Sequence, residues 1–119
     1  MKKNIVKDKS FAFAVRIVRL YKFLAEEKKE YVLSKQLLRS GTAVGALLRE
    51  AEQAESKADF VHKMAIALKE ANETEYWLAL LRETDYLQVK EYDSMRNDVT
   101  ELLKLLTSII KTSKEGEKQ

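Results

Sequence analysis

The chain has 119 residues, with no proline, no cysteine, three glycines and a net charge of +3. At an average proline usage of about 5% one would expect roughly six prolines in this length. Their absence argues against a turn-rich β-sandwich or barrel and favours long helices. Without cysteine the chain can form neither a disulfide framework nor a thiolate metal site. The length suits a single domain spanning 1–119.

The net charge conceals an uneven distribution along the chain. Residues 1–40 hold 11 Lys/Arg against 4 Asp/Glu, residues 41–85 hold 5 against 9, and residues 86–119 hold 6 against 6. The charge pattern of the folded surface therefore matters more than the total. No uncharged stretch approaches the roughly 18 residues that a membrane span needs. We expect a soluble cytoplasmic protein with no membrane partner.

The first predicted helix covers about 10–28, with Ser10 as its N-cap. Its apolar side chains recur at spacings of three and four and cover nearly half of its circumference, which suits a bundle helix with two neighbours. These residues are Phe13, Ala14, Ile17, Val18, Leu20, Tyr21 and Leu24.

The second predicted helix covers about 33–54 and contains Gly41 and Gly45. Each glycine costs about 1 kcal/mol relative to alanine inside a helix, so an offsetting gain is expected. Together with Ser40 they form a patch of small residues on which another helix can approach closely. The alternative is a kink or break at Ser40 and Gly41.

The third predicted helix covers about 57–84 and the fourth about 91–112, with a turn at 84–88 and a frayed tail at 113–119. Ser56 followed by Asp59 resembles a capping box. Apolar residues and one threonine repeat along the third helix at alternating spacings of four and three, the pattern of a left-handed bundle. They are Phe60, Met64, Ala67, Ala71, Thr74, Leu78 and Leu81. Four helices with short links predict an all-α, antiparallel, up-down-up-down four-helix bundle.

Catalytic chemistry finds little support in the residues. Di-iron centres in bundles require two Glu-x-x-His motifs, and the chain has one histidine, His62, which we expect to be solvated or to cap a helix. The glycines lie inside a predicted helix without the ending of a phosphate-binding loop. We expect no enzyme activity, no catalytic residues, no metal site and no cofactor.

Asn72 and Glu75 bring two polar residues to the edge of the packed face of the third helix. A half-buried carboxylate needs a partner. We therefore predict a register-fixing bond between Glu75 and either Arg39 or Arg49 of the second helix. The alternative is a polar pair at the edge of the face that reaches water.

A second apolar stripe lies on the opposite side of the third helix, at Ile66, Trp77 and Leu80. Such a stripe is typical of a contact surface, and Leu47 of the second helix could extend it. We predict self-association through these residues; the alternative is an interface with the bundle's own neighbouring helix.

Arg16, Arg19 and Lys22 share the polar side of the first helix, with Phe23 among them. Basic residues interleaved with an aromatic side chain are typical of a surface that neutralises a nucleic-acid backbone and contacts bases. A solvated helix face is the simpler interpretation for a single copy. Oligomerisation would favour nucleic-acid binding, because it repeats the basic surface.

Two runs of the sequence resemble a known family. They are residues 36–51 (QLLRSGTAVGALLREA), and residues 56–60 (SKADF) followed by 66–78 (IALKEANETEYWL). The chain resembles the four helix bundle proteins linked to 23S rRNA intervening sequences, which are related to the accessory variability determinant protein of diversity-generating retroelements. The resemblance covers about 8–112. The usual asparagine of the family motif is Ala46 in this chain, whereas Arg49, Glu50 and Ala51 are kept.

The resemblance implies a bacterial four-helix bundle that forms a homo-oligomer, with a pentamer favoured. It also implies binding to RNA or to a nucleic-acid-processing protein. It transfers no catalytic residues. The alternative is a structural oligomeric adaptor for a protein partner, such as a polymerase-like enzyme, without direct nucleic-acid contact.

Overall fold

A computed structural model describes residues 4–117 of the chain. It contains four helices, α1 (Ile5–Glu26), α2 (Leu33–Ala51), α3 (Lys57–Glu83) and α4 (Val89–Glu117). Each helix contacts its neighbours in the sequence, and α1 also contacts α4, which closes the four-helix bundle. The predicted antiparallel up-down-up-down bundle is confirmed. Among the helices described, none is long and apolar enough to cross a membrane.

The core follows the predicted heptad pattern of α3. Six of its seven seam positions are buried, and Phe60 is half-buried at the beginning of the helix. The side chains that fill the centre without contact to solvent come from all four helices, because each turns one apolar stripe inward. They include Phe13, Ile17, Leu24, Leu37, Leu78, Leu81 and Leu106.

The first helix begins five residues before the predicted Ser10. Its N-cap is Asn4, whose side-chain oxygen accepts a hydrogen bond from the backbone N–H of Lys7 at 3.1 Å. Ser10 is instead buried within α1, where its hydroxyl donates to the carbonyl oxygen of Lys7 at 2.8 Å. The prediction of Ser10 as N-cap is therefore wrong, because the earlier Asn4 caps a free N–H group at the beginning of the helix.

The ends of the other helices also differ from the predicted bounds. α2 ends at Ala51 instead of near 54, and α4 begins at Val89 instead of near 91. Residues 113–117, predicted as a frayed tail, continue α4 as a helix, with Lys114 in the last turn, where a positive charge favours the helix dipole. The last two residues of the predicted tail, 118–119, lie outside the described residues.

At Ser56 the structure confirms the predicted cap of α3. The side chain of Ser56 accepts a hydrogen bond from the N–H of Asp59 at 3.0 Å. The Asp59 carboxylate reaches back to the N–H of Glu55 at 3.3 Å, one residue before the position expected in a capping box.

Two members of the small-residue patch on α2, Gly41 and Gly45, pack closely against α1, whereas Ser40 is hydrogen-bonded to Thr74 on α3. A Cβ atom built on Gly41 would lie 2.7 Å from Cγ1 of Ile17. Gly45 faces Ser10, with a nearest distance of 3.5 Å. Since α2 is continuous from Leu33 to Ala51, the alternative of a break at Ser40 and Gly41 is excluded.

Candidate nucleic-acid interface between helices α1 and α4

The contact between α1 and α4 is the least extensive of the four helix pairings. It leaves an open groove of about 500 Å³, which we call the α1/α4 groove. Each of the two helices contributes four residues to its lining: Arg16, Arg19, Leu20 and Phe23 from α1, and Lys90, Glu91, Ser94 and Met95 from α4. The groove therefore combines cationic and apolar side chains along one face of the bundle.

Three of the four residues predicted to bind nucleic acid line this groove. They are Arg16, Arg19 and Phe23, whereas Lys22 is exposed but not part of the lining. The spacing of three between Arg16 and Arg19 places both on one side of α1, next to α4.

Arg16 is already paired across the two helices. Its Nη1 donates to Oδ2 of Asp98 at 2.5 Å, and its Nη2 donates to the hydroxyl of Ser94 at 2.9 Å. The salt bridge fixes the position of the guanidinium group and pairs its positive charge with a carboxylate. Arg16 therefore lines the groove but is not a free cation.

Arg19, Lys22 and Lys90 remain as exposed cations at or beside the groove. Within the part of the chain that the structure describes, they take part in none of the salt bridges, which have N···O distances of 4.0 Å or less. Charges free of a carboxylate partner are available to neutralise a phosphate backbone.

The floor of the groove is apolar. Met95 is 5% exposed, and Leu20 and Phe23 are partly buried against the core. The ammonium of Lys28 lies 5.8 Å from the centroid of the Phe23 ring, near the outer limit of about 6 Å for a cation–π contact. One aromatic ring thus lies between the core and the cationic rim.

The α4 half of this groove was not predicted from the sequence. Lys90 lies two residues into α4, just before its predicted beginning, and Ser94 and Met95 follow one turn later. The signal that could have found them is the basic residue Lys90 at the start of a helix that an antiparallel bundle places next to the C-terminal half of α1.

The predicted buried pair does not form. Arg39 lies 3.2 Å from Glu70 and 2.5 Å from Glu73, and Glu73 also accepts a hydrogen bond from the indole N–H of Trp77 at 2.9 Å. Glu75 is half-buried and lies 3.8 Å from the guanidinium of Arg96 on α4. The register between α2 and α3 brings other carboxylates to Arg39, so the prediction of its pairing with Glu75 is wrong.

The remaining two members of that predicted polar set are exposed. Asn72 is on the surface of α3. Arg49 is exposed on α2, with its guanidinium carbon 5.6 Å from the centroid of the Phe11 ring on α1. Neither residue contributes to a buried polar bond between α2 and α3.

The predicted self-association surface divides into two parts. Leu47 and Trp77 are partly buried and pack against the bundle's own core, as in the alternative interpretation. Ile66 and Leu80 are half-buried. Self-association through these residues stays a prediction.

His62 is exposed, in agreement with the expectation of a solvated histidine. Among the described residues, no three or more His, Cys, Asp or Glu side chains form a group that could hold a metal ion.

The model of the 23S rRNA-intervening sequence protein family matches residues 2–108. A solved structure from Bacteroides thetaiotaomicron, described as a protein with unknown function from the S23 ribosomal protein family, is 67% identical to the chain. The match covers 93% of this chain and 99% of that one, with a TM-score of 0.91. No curated protein shows a significant match.

Proposed function

Because the chain belongs to the 23S rRNA-intervening sequence protein family, we propose that it is a non-enzymatic homo-oligomer that binds RNA through the α1/α4 groove. The pentamer is the oligomer that we favour. The observation that carries this proposal is the arrangement of the groove. Arg19 and Lys90 project from two helices at a rim above an apolar floor.

The number of free cations explains why the proposal includes assembly. One copy offers Arg19, Lys22 and Lys90 at or beside the groove, so it neutralises few phosphates. In a ring of identical copies the same set recurs, and each further groove that engages the same RNA binds at a high effective concentration. Affinity then rises well beyond that of one copy.

RNA binding can be tested by fluorescence anisotropy with a labelled RNA of about 20 nucleotides at several salt concentrations. If Z phosphates are neutralised, log K should fall against log salt with a slope between about −0.7Z and −0.9Z. We expect the triple variant Arg19→Gln/Lys22→Gln/Lys90→Gln to reduce both the affinity and this slope.

The matched control is the triple variant Lys35→Gln/Lys57→Gln/Lys69→Gln, which removes the same charge from exposed positions on α2 and α3. We expect the control to keep most of the affinity. Equal losses in both triple variants would show that net charge alone drives binding and would contradict a site in the groove. An intact oligomer that binds no RNA at low salt would overturn RNA binding, and a monomer in sedimentation velocity would overturn assembly.

A second candidate function is a structural oligomeric adaptor for a protein partner, without direct nucleic-acid contact. It is favoured by large apolar side chains that lie exposed on the bundle, among them Phe11 at 57%, Tyr76 at 59% and Val18 at 37%. For this function, the oligomer should form while RNA affinity is absent at every salt concentration.

A further inference from the structure

The α1/α4 groove has two chemically different layers. Its floor consists of Leu20, Phe23 and Met95, all packed onto the core or within it. Its rim carries Arg19 from α1 and Lys90 from α4. A surface that only neutralised phosphates would need the rim alone, so the floor indicates contact with an apolar group as well.

The groove is of a size that suits a single small group. About 500 Å³ falls within the range of roughly 300–1,000 Å³ that is usual for small-molecule sites. It is open to solvent and lined by side chains of two neighbouring helices, α1 and α4. The exposed part of Phe23 offers a flat ring an aromatic partner, because the contact of Lys28 at 5.8 Å is loose enough to be displaced.

The rim is arranged on both sides of that floor. Arg19 and Lys90 come from different helices, so they can neutralise phosphates on the two sides of an inserted base. Arg16, which also lines the groove, is held by Asp98 and Ser94 of α4 and so ties the two helices together there. Glu91 also lines the groove; its carboxylate repels phosphate but can accept a hydrogen bond from a 2′-hydroxyl or a base amino group.

The apolar floor indicates whether the bound RNA is paired or single-stranded. In a duplex the bases are paired and stacked inside, and they present only edges and backbone to a protein. Unpaired bases can turn outward and stack on aromatic side chains. An apolar floor below a cationic rim therefore favours a single strand.

Building on the proposed function, we propose that the α1/α4 groove selects unpaired RNA. A base packs against Leu20, Phe23 and Met95, and Arg19 and Lys90 hold the phosphates beside it. The groove then discriminates single strands, loops and unpaired ends from fully paired duplex.

The test compares two labelled RNAs of equal length at one salt concentration, a single strand of about 12 nucleotides and a blunt duplex that contains the same sequence. The wild type, Phe23→Leu and Phe23→Tyr are measured with both, and the fold of each variant is checked by circular dichroism. We expect the wild type to bind the single strand at least tenfold more tightly than the duplex.

Phe23→Leu keeps an apolar side chain but removes the ring, so it should lose most of this preference, whereas Phe23→Tyr should retain it. If Phe23→Leu fails to fold, Leu20→Ala, which shortens another side chain of the apolar floor, serves as the second criterion and should reduce the preference. Arg19→Gln/Lys90→Gln should instead weaken the binding of both RNAs. Equal or tighter binding of the duplex, or a preference that Phe23→Leu leaves intact, would overturn the selection of unpaired RNA and leave the proposed function standing. Absence of binding to both RNAs would overturn both proposals.

Discussion

Gly41 on α2 lies directly against Ile17 on α1, so closely that a Cβ atom at Gly41 would come within 2.9 Å of three side-chain carbons of Ile17. Ile17 is completely buried and is branched at Cβ, which restricts its χ1 angle. It cannot move aside without displacing other core side chains. This contact sets the distance between the first two helices.

We expect Gly41→Ala to destabilise the protein by about 1–3 kcal/mol, because overpacking of the core exceeds the gain in helix propensity of about 1 kcal/mol. Gly45→Ala is the matched control, since its new Cβ would meet Ser10 at an ordinary distance of 3.5 Å. It should be neutral or stabilising by up to about 1 kcal/mol. Urea denaturation measures both, and equal signs for the two variants would contradict the close-packing explanation.

The hydroxyl groups of Ser40 and Thr74 form a buried hydrogen bond of 2.9 Å between α2 and α3. The Thr74 hydroxyl also lies 2.8 Å from the carbonyl oxygen of Glu70, whereas Ser40 has only a long contact of 3.5 Å to that of Leu37. Thr74→Val should therefore cost about 1–2 kcal/mol, and Ser40→Ala less, because Thr74 keeps a good partner.

The double variant Ser40→Ala/Thr74→Val completes a double-mutant cycle for the hydrogen bond between Ser40 and Thr74. We expect its loss in free energy of unfolding to be smaller than the sum of the two single losses, since it leaves no unsatisfied hydroxyl. Strict additivity would show that the two hydroxyls do not interact.

Glu30 caps the N-terminus of α2. Its carboxylate accepts hydrogen bonds from the N–H groups of Val32, Leu33 and Ser34 at 3.1, 3.0 and 2.7 Å. Burial raises the pKa of Glu30, but the hydrogen bonds from these N–H groups outweigh burial and hold it below its usual 4.5. Glu30→Gln should cost about 1–2 kcal/mol at neutral pH, as the loss of a helix cap does.

Because the folded state lowers the pKa of Glu30, its contribution is complete above about pH 4.5 and is lost as the pH falls through the lower value of the folded protein. The difference between wild type and Glu30→Gln should therefore shrink on acidification below pH 4.5. Glu27→Gln, in the same connection but exposed, is the control and should change stability by less than about 0.5 kcal/mol. A pH-independent difference would contradict the role of the charged carboxylate.

Lys29, just after α1, and Asp85, just after α3, both adopt a left-handed backbone, with φ angles of 57° and 69°. The next N–H group in each case donates to a carbonyl oxygen inside the helix, Glu30 to Leu24 and Tyr86 to Leu81, both at 2.9 Å. Glycine adopts this backbone without strain, so Lys29→Gly should stabilise by up to about 1 kcal/mol and Asp85→Gly by less, since Asp tolerates the conformation better. Lys28→Gly, where φ is not positive, should give no gain in thermal denaturation.

Glu73 and Glu75 distinguish the observed polar contacts from the predicted ones. The Trp77 indole N–H and the Arg39 guanidinium hold the pKa of Glu73 below its usual value. Both partners are partly exposed, so Glu73→Gln should cost at most about 1 kcal/mol, and Glu75→Gln less than about 0.5 kcal/mol. A larger loss for Glu75→Gln in urea denaturation would contradict the weak, partly exposed contact of Glu75 with Arg96.

The fold could be predicted because periodicity alone identifies an inward stripe on each helix, and short links leave one simple order of packing. The partners of the polar side chains between α2 and α3 could not be predicted. Whether Arg39 meets Glu70, Glu73 or Glu75 depends on how far α2 is shifted along α3, and a shift of one turn leaves the apolar pattern nearly unchanged.

The candidate groove was half predictable for a similar reason. The α1 residues form a basic and aromatic pattern within one segment, whereas Lys90 and Met95 gain their meaning only when α4 is placed beside α1. Arg16 shows the converse, because its charge looked free in the sequence and is paired with Asp98 in the fold.

The limited contact between α1 and α4 also has a kinetic consequence. All other helix pairs are neighbours in the sequence, so most contacts close short loops and the chain should fold rapidly. The α1 and α4 pairing joins the most distant segments, and it should form last and open first. Backbone amides on these two helices would then exchange with solvent sooner than those of α2 and α3, and a ligand bound in the groove would slow that exchange at both helices together.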